Sequence, residues 1–200
     1  MHQKPFDIPC VILSGGKSSR MEEDKSLLPF STSDSLIQFQ YNRLKPFFKK
    51  LYISSKINKF PFLNKEYLLL DESEVYSPII ALNTVFNFFK DETVFIITVD
   101  TPLVKINSLA KIIEEKTKEN DICIARTKTN HNLCGVFESK ACRDKIEEML
   151  KKDIHKVGFL LNQMKTKTIK FLDEDEFINL NKKEDYYRAK LIISETNNYH

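Results

Sequence analysis

Residues 10–28 decide the architecture; they read Cys10-Val-Ile-Leu-Ser-Gly-Gly-Lys-Ser-Ser-Arg-Met-Glu-Glu-Asp-Lys-Ser-Leu-Leu28. A short apolar run, Ile8 to Leu13, leads into two adjacent glycines, Gly15 and Gly16, and then into a polar loop. Glycine admits φ > 0 and lets another group approach the backbone closely. A strand followed by such a loop can aim consecutive N–H groups at an anion. Arg20 and Lys25 add positive charge, and Ser18 and Ser19 add donors, a composition suited to a polyphosphate. The alternative for a bare Gly-Gly is a solvated turn before a helix. Gly16-Lys17-Ser18 is not a P-loop, because the position five residues before Gly16 is Val11, not glycine. The spacing G-x-G-x-x-G is also absent.

Working outward, the chain alternates between two kinds of pattern. Short apolar runs predict strands over Pro9–Ser14, Leu51–Ser55, Tyr67–Leu70, Thr93–Val99, Asp121–Ala125, Cys134–Glu138 and Thr168–Leu172. Phe95–Val99 is apolar at consecutive positions, as a central strand covered on both faces should be. Helical spacing is expected over Asp34–Lys49, with Pro46 kinking or ending it, and over Pro78–Lys90, where Pro78 suits a first turn. Ile106–Lys118, Ala141–Lys151 and Lys183–Ile193 complete the helices. This alternation implies an α/β fold with a doubly wound, mostly parallel sheet covered by helices on both faces. Such sheets bind ligands beyond the carboxyl ends of their strands. The residues there are Gly15 and Gly16 after the first strand, Asp71 after the third and Asp100 after the fourth, and these should converge.

The chain has 200 residues, 42% hydrophobic and 30% charged, with 31 basic against 28 acidic side chains. That size suits one domain with its own core. The near-balance of charge argues against a nucleic-acid or membrane-surface binder. No run is long enough to span a membrane, and no secretory cleavage pattern follows the first apolar run. Cys10, Cys123, Cys134 and Cys142 show no zinc or redox spacing, so the expectation is a cytosolic protein with reduced thiols. Only 5 of the basic residues are arginine: Arg20, Arg43, Arg126, Arg143 and Arg188.

Leu13 to Leu28 resembles the signature of sugar- and cofactor-nucleotidyltransferases. Its closest form is the L-A-G-G-x-S-x-R-M-G-x-D-K-x-L-L of the MobA-type molybdenum cofactor guanylyltransferases. Ser14 and Glu22 are the two departures, standing where that signature has alanine and glycine. Thr98-Val-Asp-Thr-Pro-Leu-Val104 is similar to the family's strand ending in C-D-x-P. Leu70-Asp71 before Ser77-Pro-Ile-Ile-Ala81 resembles D-x(6,7)-G-P-L-x-G, with both glycines replaced. Asn130-His-Asn-Leu-Cys-Gly-Val136 resembles H-P-x-x-x-V, with Asn132 for proline. Phe177-Ile-Asn-Leu-Asn181 resembles F-x-N-x-N-T-P-E-E, with Lys182 and Lys183 before Glu184. The matches run in family order from about residue 8 to about residue 190.

The resemblance implies a Rossmann-like, GT-A-like nucleotidyltransferase fold in one domain, with about 8–125 holding the nucleotide and about 126–193 facing the acceptor. It implies GTP and molybdopterin as substrates, molybdopterin guanine dinucleotide and pyrophosphate as products, and molybdoenzymes or cofactor-delivery proteins as partners. Leu13, Ser14 and Gly15 would present backbone groups to guanine, with Gly16 in the phosphate loop. Arg20 and Lys25 would hold the triphosphate; the alternative is a solvated loop in which Glu22, Glu23 and Asp24 pair with them. Asp100, a carboxylate at a strand tip, suits Mg²⁺ shared with phosphates and water; the alternative is a helix cap. Asp71 would accept hydrogen bonds from base or ribose, or serve as a strand-end turn residue. Ser54 falls where many relatives carry asparagine. On the acceptor side the candidates are Arg126, His131, Asn179 and Asn181. Asn179 and Asn181 alternate along a strand-like run, which puts both on one face, and Asn181 is also a potential cap for the last helix.

Overall fold

The computed structural model describes residues 4–15, 24–71 and 73–197. Gly16 and Arg20, and the Glu22 departure, lie outside the described residues. Seven strands form one sheet: β1 Cys10–Leu13, β2 Leu51–Ser55, β3 Leu68–Leu70, β4 Thr93–Thr98, β5 Ile122–Arg126, β6 Asn130–Glu138 and β7 Thr166–Lys170. Their order is β3-β2-β1-β4-β6-β5-β7. The pairs β1–β2, β2–β3, β1–β4 and β5–β7 are parallel, while β6 runs antiparallel to both β4 and β5. The link from β5 to β6 explains the reversal. Arg126 pairs with Asn130, leaving Thr127–Thr129 to turn the chain, whereas a parallel crossover needs about a dozen residues.

Among the described residues, six α-helices flank the sheet: α1 Leu36–Leu44, α2 Pro78–Phe89, α3 Ile106–Glu114, α4 Ser139–Lys151, α5 Val157–Gln163 and α6 Lys183–Asn197. Alternate strand residues feed two cores. Cys10, Ile12, Phe95 and Ile97 pack with Leu36 and Leu44 of α1, with Leu109 and Ile112 of α3, and with Ala189 of α6. Val11, Leu13, Val94 and Ile96 pack instead with Leu82 and Phe86 of α2, Ile146 of α4 and Leu160 of α5. The two-residue period of a strand divides the side chains this way. Both central strands are buried on both faces. Ser35 caps α1 by accepting from Gln38 N, and the helix stops before Pro46, which lacks the N–H needed to continue it. Ser77 caps α2 by accepting from Ile79 N, with Pro78 in the first turn.

Gly135 of β6 marks a close approach of two strands. A Cβ there would lie 2.3 Å from Cys123 O and 2.8 Å from Ile124 Cα, both backbone atoms of β5. Gly135→Ala should therefore cost about 2–3 kcal/mol, near the top of the overpacking range, read as a lower urea midpoint at unchanged m-value. An unaltered midpoint would contradict the geometry. The cysteines offer a second test. All four are buried, and burial raises each thiol, Cys134 to about 12. Because the thiolate is the reactive form, iodoacetamide at pH 8 should leave the native protein unlabelled and modify all four thiols in guanidinium. Rapid labelling of the native protein would count against this packing.

Candidate active site

The carboxyl ends of β1, β2, β3 and β4 share one edge of the sheet. Pairing continues just past them: Ser14 N donates to Ser54 O at 2.8 Å, Val99 N to Leu13 O at 3.0 Å, and Asp71 N to Ser55 O at 2.9 Å. A central cleft of about 220 Å³ opens there, lined by Leu13, Ser14, Gly15, Lys25 and Asp100 among others. A neighbouring pocket of about 270 Å³ shares Gly15 and Pro78 with it and adds Lys56, Asp71, Tyr76 and Ser77. Together they approach the size range of small-molecule sites.

Lys25 opens a short 3₁₀ turn, Lys25–Leu27. Asp24 caps that turn, accepting from Ser26 N at 3.1 Å and from Ser26 Oγ at 2.6 Å, and its other oxygen pairs with Lys59. The turn carries the Lys25 ammonium to Asp100 Oδ2 at 3.2 Å, Leu180 O at 3.0 Å and Asn181 Oδ1 at 3.3 Å. Both partners of the ion pair are 19% exposed. Asp100 Oδ1 is buried and makes no hydrogen bond among the described residues.

Asp100 is held from several directions. Leu180 N donates to its carbonyl at 2.8 Å. Gln40, fully buried on α1, donates to Thr98 O at 3.3 Å and Thr101 O at 3.1 Å. Arg43 fixes Gln40 by donating from Nε and Nη2 to its Oε1, and reaches Val104 O through Nη1. The helix after Asp100 starts only at Ile106, with Lys105 at its cap position, so Asp100 is not a helix cap.

A single carboxylate is the donor set here. Among the described residues no group of three or more His, Cys, Asp or Glu gathers to hold an ion. The unpartnered Asp100 Oδ1 fits a hard cation bound mainly by phosphate and water oxygens, as Mg²⁺ is in phosphate-transfer sites. A protein-caged metal does not fit.

A third pocket, of about 290 Å³, continues from the cleft past Thr98, Asp100 and Leu133 to Asn130, His131 and Asn179. His131 stacks on Phe177 at 4.7 Å between centroids and shares a 2.8 Å hydrogen bond with Thr127 Oγ1 through Nε2. Burial lowers its pKa, so the ring is neutral at pH 7. Asn179 and Asn181 do not lie on a strand. Asn181 N donates to Asn179 O at 2.8 Å, a tight turn that sends Asn179 to the His131 pocket and Asn181 to Lys25. The expectation of an alternating strand is thus corrected, although both side chains remain near Asp100.

Two expected residues lie apart. Ser54 is buried and contributes its carbonyl to Ser14 rather than lining the cleft. Arg126 is exposed at the end of β5, in a separate cleft with Lys128 and Lys170. Asp71 is 4% exposed and paired with Lys56 at 2.8 Å. Sequence reasoning missed Lys56, Tyr76, Thr98, Leu133 and Gln40. Gln40 carried a signal, being a polar residue in helical register with the apolar Leu36 and Leu44.

Comparison with known proteins gives a consistent result. A family model described as the MobA-like NTP transferase domain matches residues 10–167. A molybdenum cofactor guanylyltransferase of Campylobacter jejuni subsp. doylei is 42% identical over 187 residues, covering 92% of this chain and 96% of its own. One from Helicobacter pylori is 33% identical over 197 residues, covering 96% of each. The crystal structure of molybdopterin-guanine dinucleotide biosynthesis protein A from Archaeoglobus fulgidus superposes with a TM-score of 0.78 at 19% identity, over 94% of this chain and 100% of that one. With Gly15, Lys25 and Asp100 gathered at the carboxyl edge of such a sheet, the chain belongs to the MobA-like NTP transferase family and is a nucleotidyltransferase.

Proposed function

We propose that this protein transfers GMP from GTP to the terminal phosphate of molybdopterin, forming molybdopterin guanine dinucleotide and pyrophosphate. The observation that carries the reading is the meeting of Lys25 and Asp100 in the cleft behind Gly15. The names and near full-length coverage of the curated relatives support guanine and molybdopterin as the specific substrates.

An acceptor phosphate oxygen attacks the α-phosphorus, the bond to the α,β-bridging oxygen breaks, and pyrophosphate carries away the electron pair. Such a reaction asks the protein mainly for positioning and charge stabilisation. Leu13, Ser14 and Gly15 offer backbone groups to the base, and Asp71 offers carboxylate oxygens. Lys25, with Arg20, binds the triphosphate. Asp100 Oδ1, together with phosphate oxygens, would hold a Mg²⁺ ion that neutralises charge at the α-phosphate. His131 and Asn179, in the pocket beyond Asp100, bind the acceptor, with Asn181 beside Lys25 and Arg126 further out. Residues up to about 125 thus serve the nucleotide, and those after it the acceptor.

Turnover is tested by pyrophosphate release from GTP plus molybdopterin with Mg²⁺. Asp100→Ala should lower kcat by at least about 10²–10³-fold, the scale of losing one electrostatic element, with its circular dichroism unchanged. Wild-type turnover from this variant would remove the role assigned to Asp100. Nucleotide choice is read by thermal shift with each of the four NTPs and Mg²⁺. At about 100 times Kd, a ligand adds about 2.7 kcal/mol, or about 5–10 °C for a chain of this size. GTP should give that shift; a shift with CTP alone would point to a cytidylyl donor. Binding without turnover, against an active control enzyme, would indicate a nucleotide-binding module.

A further inference from the structure

Lys56 directly follows β2 and lines the Asp71 pocket, yet it has no part in the reaction described above. Its side chain is 14% exposed and that of Asp71 is 5% exposed. An ammonium has three N–H donors. Here Nζ donates to Val75 O at 2.7 Å and to Ser73 O, and forms an ion pair with Asp71 Oδ2 at 2.8 Å. The Tyr76 ring covers the same nitrogen, with its centroid at 5.2 Å. Lys56 is thereby engaged with the Asp71 carboxylate and with the backbone of Ser73 and Val75. Asp71 does have spare capacity. Its two oxygens provide about four acceptor sites, of which Lys56 takes one and Ser73 N, at 3.1 Å to Oδ1, takes another.

We propose that Lys56 is a positioning residue for nucleobase recognition: it fixes the Asp71 carboxylate and ties segment 73–76 to the ends of β2 and β3. The wall of the base pocket and its acceptor are then set before a nucleotide arrives. This inference rests on the guanylyl-transfer reading, because it takes the Asp71 pocket as the base site. A ligand with two adjacent N–H donors, such as the Watson–Crick edge of guanine, matches the remaining acceptor sites of a carboxylate oriented this way. Without Lys56, Asp71 would be a buried carboxylate stripped of its counter-charge, and the loop would lose two anchors at once. Among the described residues, Gly15 lines both pockets, but no hydrogen bond or ion pair joins Lys56 or Asp71 to Lys25 or Asp100.

That separation supplies the test. Wild type, Lys56→Met and Lys56→Arg are titrated by calorimetry with Mg-GTP and with Mg-tripolyphosphate, alongside steady-state kinetics. For Lys56→Met, Kd and KM for GTP should rise by about tenfold, the scale of one misplaced charge-assisted hydrogen bond, with kcat within about twofold. Tripolyphosphate binding should stay unchanged, which a general structural defect would not allow. Lys56→Arg keeps the charge but not the compact three-way geometry, and should lose about threefold in GTP affinity only. Unchanged GTP binding in both variants, or equal losses for both ligands, overturns the clamp while leaving the functional reading intact. Should Lys56→Met fail to fold, the arginine variant decides alone by the same criteria. A wild-type protein that binds no GTP overturns the functional reading, and the clamp with it.

Discussion

The site depends on one ammonium held between two parts of the chain that are distant in sequence. Lys25 bonds both Asp100 at the end of β4 and the carbonyl of Leu180 ahead of α6. It thereby joins the first strand's loop, the central strand and the C-terminal segment at a single point. The pair is no notable source of stability, because two partly buried charges repay little beyond their desolvation cost. Its value is geometric. Lys25 occupies Asp100 Oδ2 and leaves Oδ1 without a partner. Positive charge and carboxylate therefore stand side by side in one cleft.

That arrangement demands a rigid Asp100, and the rigidity comes from a buried polar network behind it. Arg43 is driven down to about 10 by desolvation yet stays charged at pH 7. A charge in that position is costly unless its donors are satisfied, and Gln40 Oε1 and Val104 O meet that need. Gln40 then directs its amide to the carbonyls of Thr98 and Thr101, one on each side of Asp100. A wholly apolar α1 face would pack at least as well, but it would leave the Thr101 carbonyl without this amide donor. Stability is exchanged here for a loop held in one conformation.

The sequence made the strands legible because each is an apolar run bounded by polar residues, and all seven formed near their expected places. The convergence of Gly15, Asp71 and Asp100 on one edge followed from the parallel topology. Other features were out of reach for identifiable reasons. The direction of β6 depends on the length of the β5–β6 turn, and Asn130–Leu133 are too polar to read as strand. The seven-residue α5, with Gly158 in its first turn, is too short to show a clear period. Arg126 meets the need of an acceptor phosphate for positive charge, but the sequence does not say which cleft a strand end faces, and Arg126 lies in a cleft apart from Asp100. Lys56 stands directly after β2, as Asp71 does after β3, and a charged residue at that position was a usable signal.

The departures from the family signature also have local physical support. Ser77 and Ala81 stand where the signature has glycines, and both line the Asp71 pocket, so they narrow it relative to two residues without Cβ atoms. Ser77 turns its extra atoms to use: its hydroxyl accepts from Ile79 N at 3.2 Å, capping α2. The same oxygen lies 3.1 Å from His155 Nδ1, on the segment leading into α5. A glycine could make neither contact, so the substitution couples this rim of the Asp71 pocket to the segment between α4 and α5. Lys56 and Tyr76 line the same pocket, with the Lys56 ammonium 5.2 Å from the Tyr76 ring centroid. Under the proposed guanylyl transfer, the lost glycines bear on how tightly the base is held, while Gly15, Lys25 and Asp100 keep the identities of the family signature.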